Sequence, residues 1–126
     1  KQIWVYFFIS RYSSLSINTV KGLEGCRLGV WSAHGEGKFD LPYSENKYSI
    51  AAKYSYESYP ANPNGSKFNT AMLVSDDGRH LVMMPHIERS LHPHNWAFYP
   101  EDRNDKYSPW IKVFNNSYNW LVDKKK

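Results

Sequence analysis

The chain has 126 residues, 41% of them hydrophobic and 22% charged, a composition typical of one globular domain and not of a disordered chain. Part of the formal net charge of +4 comes from the terminal run Lys124–Lys126, and the other basic residues are scattered among acids, so we expect no nucleic-acid partner. The longest apolar run, Ile3–Ile9, is far shorter than the roughly 20 residues that a membrane helix needs, so we expect no membrane partner.

The first third of the chain contains three candidate strands and two candidate turns. Ile3–Ile9 is rich in β-branched and aromatic residues and predicts a strand buried on both faces. Ser13–Ile17 alternates weakly and is a second candidate, whereas the glycines of Lys21–Gly25 predict a turn. Arg27–Ser32 is short and apolar and predicts a central strand. The glycines of His34–Gly37 predict a loop directly after it.

The middle of the chain alternates between short elements and a loop rich in proline. Pro42–Ser49 predicts a short helix that starts at its proline. Ile50–Tyr56 predicts a strand with Tyr54 and Tyr56 on one face. Tyr59–Ser66 contains two prolines and a glycine in eight positions, which favours an irregular loop.

The clearest local signals lie in the second half of the chain. Thr70–Ser75 and His80–Met84 are apolar runs that flank an Asp-Gly pair in Asp76–Arg79, and this pattern predicts a β-hairpin. Near the C-terminus, Ser108 and Pro109 match the cap and first position of a helix. Apolar residues follow them at helical spacing: Trp110, Val113, Phe114, Tyr118 and Leu121. We therefore predict one α/β domain over residues 1–126, with a mixed sheet, a β-hairpin and a C-terminal helix.

The segment Met83–Arg89 is the strongest candidate for chemistry. It places His86 directly after a proline that ends a predicted strand, with Glu88 two residues further on. At that spacing in a turn, the carboxylate can reach the imidazole ring, select its tautomer and stabilise the imidazolium. An H-x-E triplet is also common as a plain surface pair, and as a catalytic pair it still requires a nucleophile.

Cys26 is the only cysteine of the sequence, which excludes an internal disulfide and suits a reducing, cytoplasmic compartment. It would complete a Cys-His-Glu triad on composition alone. A nucleophile of this type usually occupies a sharp turn from a strand into a helix, whereas Cys26 precedes a predicted strand. We therefore interpret Cys26 as a small structural residue.

A metal-dependent hydrolase is a further alternative. Its candidate ligands are His34, Glu36, His86, Glu88, His92 and His94. No helical two-histidine motif and no cysteine pair accompanies them, so we expect no metal and no other cofactor in this chain.

Several segments, in this order, resemble the C-terminal glutaminase region of the phosphoribosylformylglycinamidine synthase family. They are Ser10–Tyr12, Leu28–Trp31 with Ala33–Gly37, Tyr59–Ser66, Asp77–Arg79, Met84–Arg89 and Ser108–Trp110. The combination of Asn-Pro-Asn-Gly-Ser with Pro-His-x-Glu-Arg makes the resemblance specific. Two features depart from the family pattern: Ile87 stands where proline is usual, and residues 1–9 do not follow it.

The resemblance implies a partial flavodoxin-like class I glutaminase fold and a Cys-His-Glu triad that hydrolyses glutamine. The ammonia would pass to a synthetase region that uses ATP and magnesium to convert formylglycinamide ribonucleotide to the amidine in purine biosynthesis. By motif position, His86 is the general base and Glu88 orients it. The predicted wall residues of the glutamine pocket are His34, Glu36, Asn62, Asn64 and Ser66.

The family's nucleophile lies in an Asn-Gly-Cys-Gln segment upstream of anything in this sequence, so we expect the chain to be the C-terminal portion of the domain and inactive alone. Such a portion should leave sheet edges and apolar surface exposed, which favours pairing with a second copy or a partner chain. The alternative is a non-catalytic interaction module. Its anchors would be the aromatic residues Trp96, Phe98, Tyr99 and Trp110.

Overall fold

The computed structural model describes residues 2–7, 21–33 and 35–123. The described elements are the strands β1 (Gln2–Phe7), β2 (Arg27–Trp31), β3 (Ile50–Tyr54), β4 (Thr70–Val74) and β5 (Leu81–Met83) and the helix α1 (Ile111–Asp123). Short 3-10 turns lie at Glu45–Lys47, Lys67–Asn69, Ile87–Ser90 and Pro93–Asn95. The predicted strand Ser13–Ile17 lies outside the described residues.

The five strands form one sheet in the order β2-β1-β3-β4-β5, and every described pairing is antiparallel. The prediction of a mixed sheet is wrong for these strands, and the connections give the reason. Parallel neighbours need a long crossover, usually a helix, but the only described helices between strands are three-residue 3-10 turns. The prediction that the strand at Arg27–Ser32 is central is also wrong, because β2 lies at one edge of the described sheet.

The predicted hairpin is confirmed. β4 and β5 pair with Met72 opposite Met83, and the turn is closed by the Gly78 N–H donating to the Ser75 carbonyl at 2.9 Å. Gly78 has a φ of +69°, a conformation that glycine adopts without the steric cost of a side chain. The Asp-Gly pair therefore determines where the chain reverses.

Other elements differ from the predictions in their extent. Pro42–Ser49 contains only the 3-10 turn Glu45–Lys47, whereas Tyr59–Ser66 is irregular, as predicted. β3 ends at Tyr54, so Tyr56 lies beyond the strand. Tyr54 is buried, whereas Tyr56 is half exposed, and the two rings therefore lie in different environments. The C-terminal helix is confirmed. Its regular part begins at Ile111, two residues later than predicted.

The core lies where α1 and the segment before it, residues 91–110, here called the aromatic loop, pack on the sheet. Trp110 is fully buried, and its indole N–H donates to the Gly29 carbonyl at 2.7 Å. Gly29 has no room for a side chain, because a Cβ there would lie 2.8 Å from a ring carbon of Trp96 and would overlap the Gln2 side chain. The close packing of Trp96 on β2 therefore depends on a glycine at position 29.

Tyr54 has a buried hydroxyl with no hydrogen-bond partner among the described residues, and burial raises its pKa. We expect Tyr54→Phe to leave the free energy of unfolding unchanged or to raise it by up to about 1 kcal/mol. The substitution removes a hydroxyl group whose desolvation is not offset by a hydrogen bond. Urea denaturation followed by tryptophan fluorescence measures this difference.

Tyr48→Phe is the matched control, because the Tyr48 hydroxyl accepts the Tyr43 backbone N–H at 2.9 Å, and its loss should lower stability by about 0.5–1 kcal/mol. Above pH 10 the unfolded state loses the Tyr54 proton and the folded state retains it, so wild-type stability should fall with rising pH more steeply than that of Tyr54→Phe. A Tyr54→Phe variant clearly less stable than wild type would contradict the conclusion that the Tyr54 hydroxyl has no hydrogen-bond partner.

Candidate active site

The backbone of His86 is held between two strands. After β5 the chain continues with the Met84 N–H donating to the Ala71 carbonyl of β4 at 3.4 Å, and the next residue, Pro85, is buried. The His86 N–H then donates to the Trp31 carbonyl of β2 at 2.9 Å, which forms an isolated antiparallel bridge. Because β5 and β2 are the two edges of the sheet, this segment connects one edge to the other. His86 is therefore placed by the sheet and not by a free loop.

The side chains of His86 and Glu88 contact each other. His86 Nδ1 lies 2.6 Å from Glu88 Oε1, and the two side chains are 31% and 56% exposed. An ionised carboxylate can only accept, so Nδ1 carries the hydrogen of this bond and Nε2 is the ring nitrogen that can take up a proton. This is the arrangement that a general base and its orienting acid require.

The charge of Glu88 is stabilised by its neighbours. Partial burial raises the pKa of Glu88, but the hydrogen bond with His86 and the positive charge of Arg89 outweigh it, and the net effect lowers the pKa. A lowered carboxyl pKa means that the pair contributes stability above the unfolded pKa of about 4.3 and loses it as the pH falls below that value. Glu88 is therefore ionised at neutral pH.

A 3-10 turn, Ile87–Ser90, points the acid outwards. Ile87 and Ser90 are buried, whereas Glu88 is exposed. The Ser90 carbonyl accepts two hydrogen bonds, from the Trp96 indole at 2.7 Å and from the Ser108 hydroxyl at 2.6 Å. These two bonds join the turn to the aromatic loop and to the start of α1.

The predicted pocket residues form a second cluster. Asn62 and Ser66 are buried, and they bond to each other through the Ser66 N–H to Asn62 Oδ1 at 2.9 Å and Asn62 Nδ2 to the Ser66 carbonyl at 2.8 Å. Asn64 donates to the carbonyls of Gly35 and Gly37, the loop that follows β2. Glu36 is exposed in that loop, and His34 lies outside the described residues.

Cys26 is far from His86 along the sheet. It lies in the turn before β2, where its N–H donates to the Leu23 carbonyl at 2.9 Å, whereas His86 pairs with Trp31 at the other end of β2. Trp31 lies five positions after Cys26 along an extended segment, a span of about 17 Å. This position agrees with a structural role for the thiol.

The aromatic and histidine candidates are divided between core and surface. Trp96 and Trp110 are buried, so they are core residues and not the anchors that the alternative of an interaction module requires. Phe98 is 62% exposed, and Tyr99 packs edge-on against Trp96. The rings of His92 and His94 stack with centroids 5.1 Å apart. Within the described ranges, no group of three or more histidines, cysteines and acids is placed to hold a metal ion.

Sequence reasoning missed the residues that support the site. Trp31 is the most important, since its carbonyl pairs with His86 and its indole donates to the Asn95 carbonyl at 2.7 Å. Gln2 also joins β1 to the aromatic loop, accepting the N–H groups of Ala97 and Phe98. These contacts join residues more than 50 positions apart, and no local sequence pattern predicts them. The sequence signal for Trp31 was limited to its position just before the His-Gly-Glu-Gly segment.

An open cleft lies beside β1 and β2, and neither His86 nor Glu88 lines it. It is lined by Gln2, Trp4, Arg27, Ser55, Tyr56, Pro60 and Ala61. None of the predicted site residues contributes to this lining. In the part of the chain that is described, no helix has the length and apolar character needed to span a membrane.

Comparison with known proteins gives a consistent family. The sequence profile of the CobB/CobQ-like glutamine amidotransferase domain matches residues 1–121. Among curated relatives, the chain is 37% identical to the Homo sapiens phosphoribosylformylglycinamidine synthase over 132 residues, covering 90% of this chain and 10% of that protein. It is 43% identical to the Dictyostelium discoideum phosphoribosylformylglycinamidine synthase over 119 residues, covering 78% of this chain and 9% of that protein.

The chain therefore spans about one tenth of the length of these relatives. The profile covers nearly all of the chain, including every described strand and the hydrogen-bonded His86–Glu88 pair. The chain belongs to the CobB/CobQ-like glutamine amidotransferase domain family.

Proposed function

We propose that this chain supplies the acid-base half of a glutaminase site, with His86 as general base and Glu88 as its orienting partner. The observation that carries the proposal is the 2.6 Å contact between His86 Nδ1 and Glu88 Oε1. Because Nδ1 is bonded to the carboxylate, Nε2 is available to accept a proton from a nucleophile.

The nucleophile in this proposal is a cysteine thiol from another part of a longer polypeptide. His86 takes the thiol proton, and the thiolate attacks the side-chain amide carbon of glutamine. His86 then returns the proton to the departing nitrogen, which leaves as ammonia, and a thioester remains. Water, deprotonated by His86, hydrolyses the thioester to glutamate and restores the thiol. Without that thiol the chain alone is inactive.

The loop after β2 is the proposed wall of the glutamine pocket. His34 and Glu36 belong to it by sequence position, and Glu36 is exposed. Asn62 and Ser66 are buried and hydrogen-bonded to each other, so they would support the wall from the protein interior.

The rest of the domain would complete a flavodoxin-like class I glutaminase fold, of which residues 1–126 form the C-terminal portion. The support for this proposal is the match of the glutamine amidotransferase profile to residues 1–121. α1 is the one described helix longer than four residues, and a flavodoxin-like fold has helices on both faces of its sheet, so the rest of the domain would supply the other helices. Among the described strands, β5 has a neighbour on one side only. Its other edge is available to a partner segment or to a second copy of the chain.

For the complete protein, we propose the activity that the names of the relatives describe. Ammonia from glutamine would pass to a synthetase region, an ATP-dependent ligase that uses magnesium to convert formylglycinamide ribonucleotide to the amidine. This reaction belongs to purine biosynthesis and takes place in the cytoplasm. The support is the identity of 37–43% to phosphoribosylformylglycinamidine synthases from two organisms.

A chimera tests the proposal directly. This chain replaces the matching segment of the Dictyostelium synthase, and two activities are measured: glutamine-dependent and ammonia-dependent formation of the amidine. We expect both activities in the chimera and no glutamine hydrolysis by the isolated chain. A chimera that is folded and active with ammonia, but inert towards glutamine, would refute the proposed role of this chain.

A further inference from the structure

We propose that Asn64 is a positioning residue that holds the Gly35–Gly37 loop in one conformation as a wall of the site around His86. This inference rests on the proposed glutaminase function and assigns Asn64 a structural task within it. Asn64 acts through the loop and is not proposed to contact the reacting atoms.

The side-chain amide of Asn64 forms two hydrogen bonds to one loop. Its Nδ2 donates to the Gly35 carbonyl at 2.6 Å and to the Gly37 carbonyl at 2.9 Å. A primary amide has two N–H donors, and here both are directed to carbonyls two residues apart. One side chain therefore determines the local path of the backbone.

Among the described residues, few other contacts are seen at the exposed part of this loop. Gly35 and Glu36 are exposed, and a Cβ built on Gly35 would find no heavy atom within 4 Å among the described residues. Glycine has more conformational freedom than any other residue, so a glycine-flanked loop loses the most entropy when it adopts one conformation. Packing does not supply that order here, and the two Asn64 bonds do.

Asn64 is itself mounted on a rigid base. It lies in the loop closed by the mutual hydrogen bonds of Asn62 and Ser66, both buried. The Ser66 hydroxyl also accepts the Phe39 N–H at 3.0 Å, and the Lys67 N–H donates to the Phe39 carbonyl at 3.1 Å. The segment that carries Asn64 is therefore hydrogen-bonded to Phe39, which follows the Gly35–Gly37 loop in the chain.

The loop adjoins His86 through β2. The Trp31 carbonyl accepts the His86 N–H, and Gly35 follows Trp31 by four residues, which reach at most about 14 Å. Glu36 lies between the two carbonyls bound by Asn64. The two hydrogen bonds therefore fix the backbone of a proposed wall residue in the segment that follows Trp31, the residue that binds the His86 backbone.

The first experiment uses the chain itself and does not depend on activity. Asn64→Asp keeps the shape of the side chain, but its carboxylate cannot donate and would repel both carbonyls. In backbone ¹⁵N relaxation measurements, we expect the order parameters of Gly35, Glu36 and Gly37 to fall from about 0.85 to below about 0.6. Asn46→Asp is the matched control, because the one hydrogen bond of the exposed Asn46 side chain among the described residues is accepted, from the Ser44 hydroxyl at 2.7 Å.

The second experiment uses the chimera. With Asn64→Asp we expect kcat/KM for glutamine to fall by about tenfold to a hundredfold, chiefly through KM, because the substrate meets a disordered wall. Ammonia-dependent activity should be unchanged, and Asn46→Asp should match the wild type in both assays.

Three results would overturn the inference. Unchanged order parameters in Asn64→Asp would show that Asn64 does not hold the loop. A disordered loop with unchanged kinetics for glutamine would show that the loop is no part of the site. A wild-type chimera that uses ammonia but not glutamine would refute the proposed function, and the positioning role with it, whatever the relaxation data show.

Discussion

His86→Ala is expected to abolish glutamine-dependent synthesis in the chimera, with a loss of at least about 10³-fold in kcat. The imidazole is the only group in the His86–Glu88 pair that can both accept the thiol proton and return it to the leaving nitrogen. Its backbone is placed by the bridge to Trp31, which does not need the ring. The loss should therefore be chemical, and ammonia-dependent synthesis should be retained.

Two variants sharpen this prediction. Glu88→Gln keeps the size of the side chain but removes the charge that stabilises the imidazolium, so it should lower kcat for glutamine by roughly 10²–10⁴-fold. His80→Ala removes an exposed histidine from the hairpin, where the hydrogen bonds of His80 with the described residues are made by its backbone: its N–H donates to the Ser75 hydroxyl and its carbonyl accepts the Ser75 N–H, both at 2.9 Å. It should have no effect on either activity. Glutamine turnover that survives His86→Ala would remove His86 from the mechanism.

Trp110→Ala is expected to lower the free energy of unfolding by about 3–5 kcal/mol. Trp110 is fully buried, and its replacement leaves a large cavity against the sheet. It also leaves the Gly29 carbonyl without the indole N–H that lies 2.7 Å away. Urea denaturation followed by circular dichroism measures the change. A loss of this size approaches the whole stability of a small domain, so the variant should be partly unfolded at 25 °C.

Trp110→Phe separates the two causes. Phenylalanine fills much of the space but has no N–H donor, so we expect a loss of about 1–3 kcal/mol, intermediate between wild type and Trp110→Ala. A variant in which phenylalanine is as destabilising as alanine would assign the effect to the hydrogen bond. If Trp110→Ala were as stable as the wild type, the central place of this residue in the core would be wrong.

Local signals predicted the elements of this fold better than their arrangement. The hairpin around Gly78 and the helix after Pro109 follow from turn and cap chemistry, which acts over a few residues. The antiparallel order β2-β1-β3-β4-β5 depends on contacts between distant segments, such as the β1–β2 pairing of Val5 with Leu28. No periodicity in the sequence distinguishes a central from an edge strand when both are apolar. For that reason β2 was expected in the middle of the sheet.

The candidate site shows the same division. His86 and Glu88 are two residues apart, so their contact could be predicted from spacing alone. The spacing did not reveal that Trp31 would bind the His86 backbone, or that Asn64 would reach across to Gly35, since these pairs are separated by 55 and 29 positions. Buried polar residues such as Asn62 satisfy each other inside the loop, and a motif cannot show whether such an amide faces a ligand or its own backbone.

The donors that complete β2 and the turn after β5 come late in the chain, and this order has a consequence for synthesis on the ribosome. The Trp110 indole, which donates to the Gly29 carbonyl, is synthesised 81 residues after Gly29. The Ser108 hydroxyl, which donates to the Ser90 carbonyl, is synthesised 18 residues after Ser90. A nascent polypeptide that stops before Ser108 would contain all five described strands and the histidine, yet it would lack the Ser108 bond to the turn and the Trp110 bond to β2. Translation must therefore proceed almost to the final helix before the turn that carries Glu88 has all of its described hydrogen bonds.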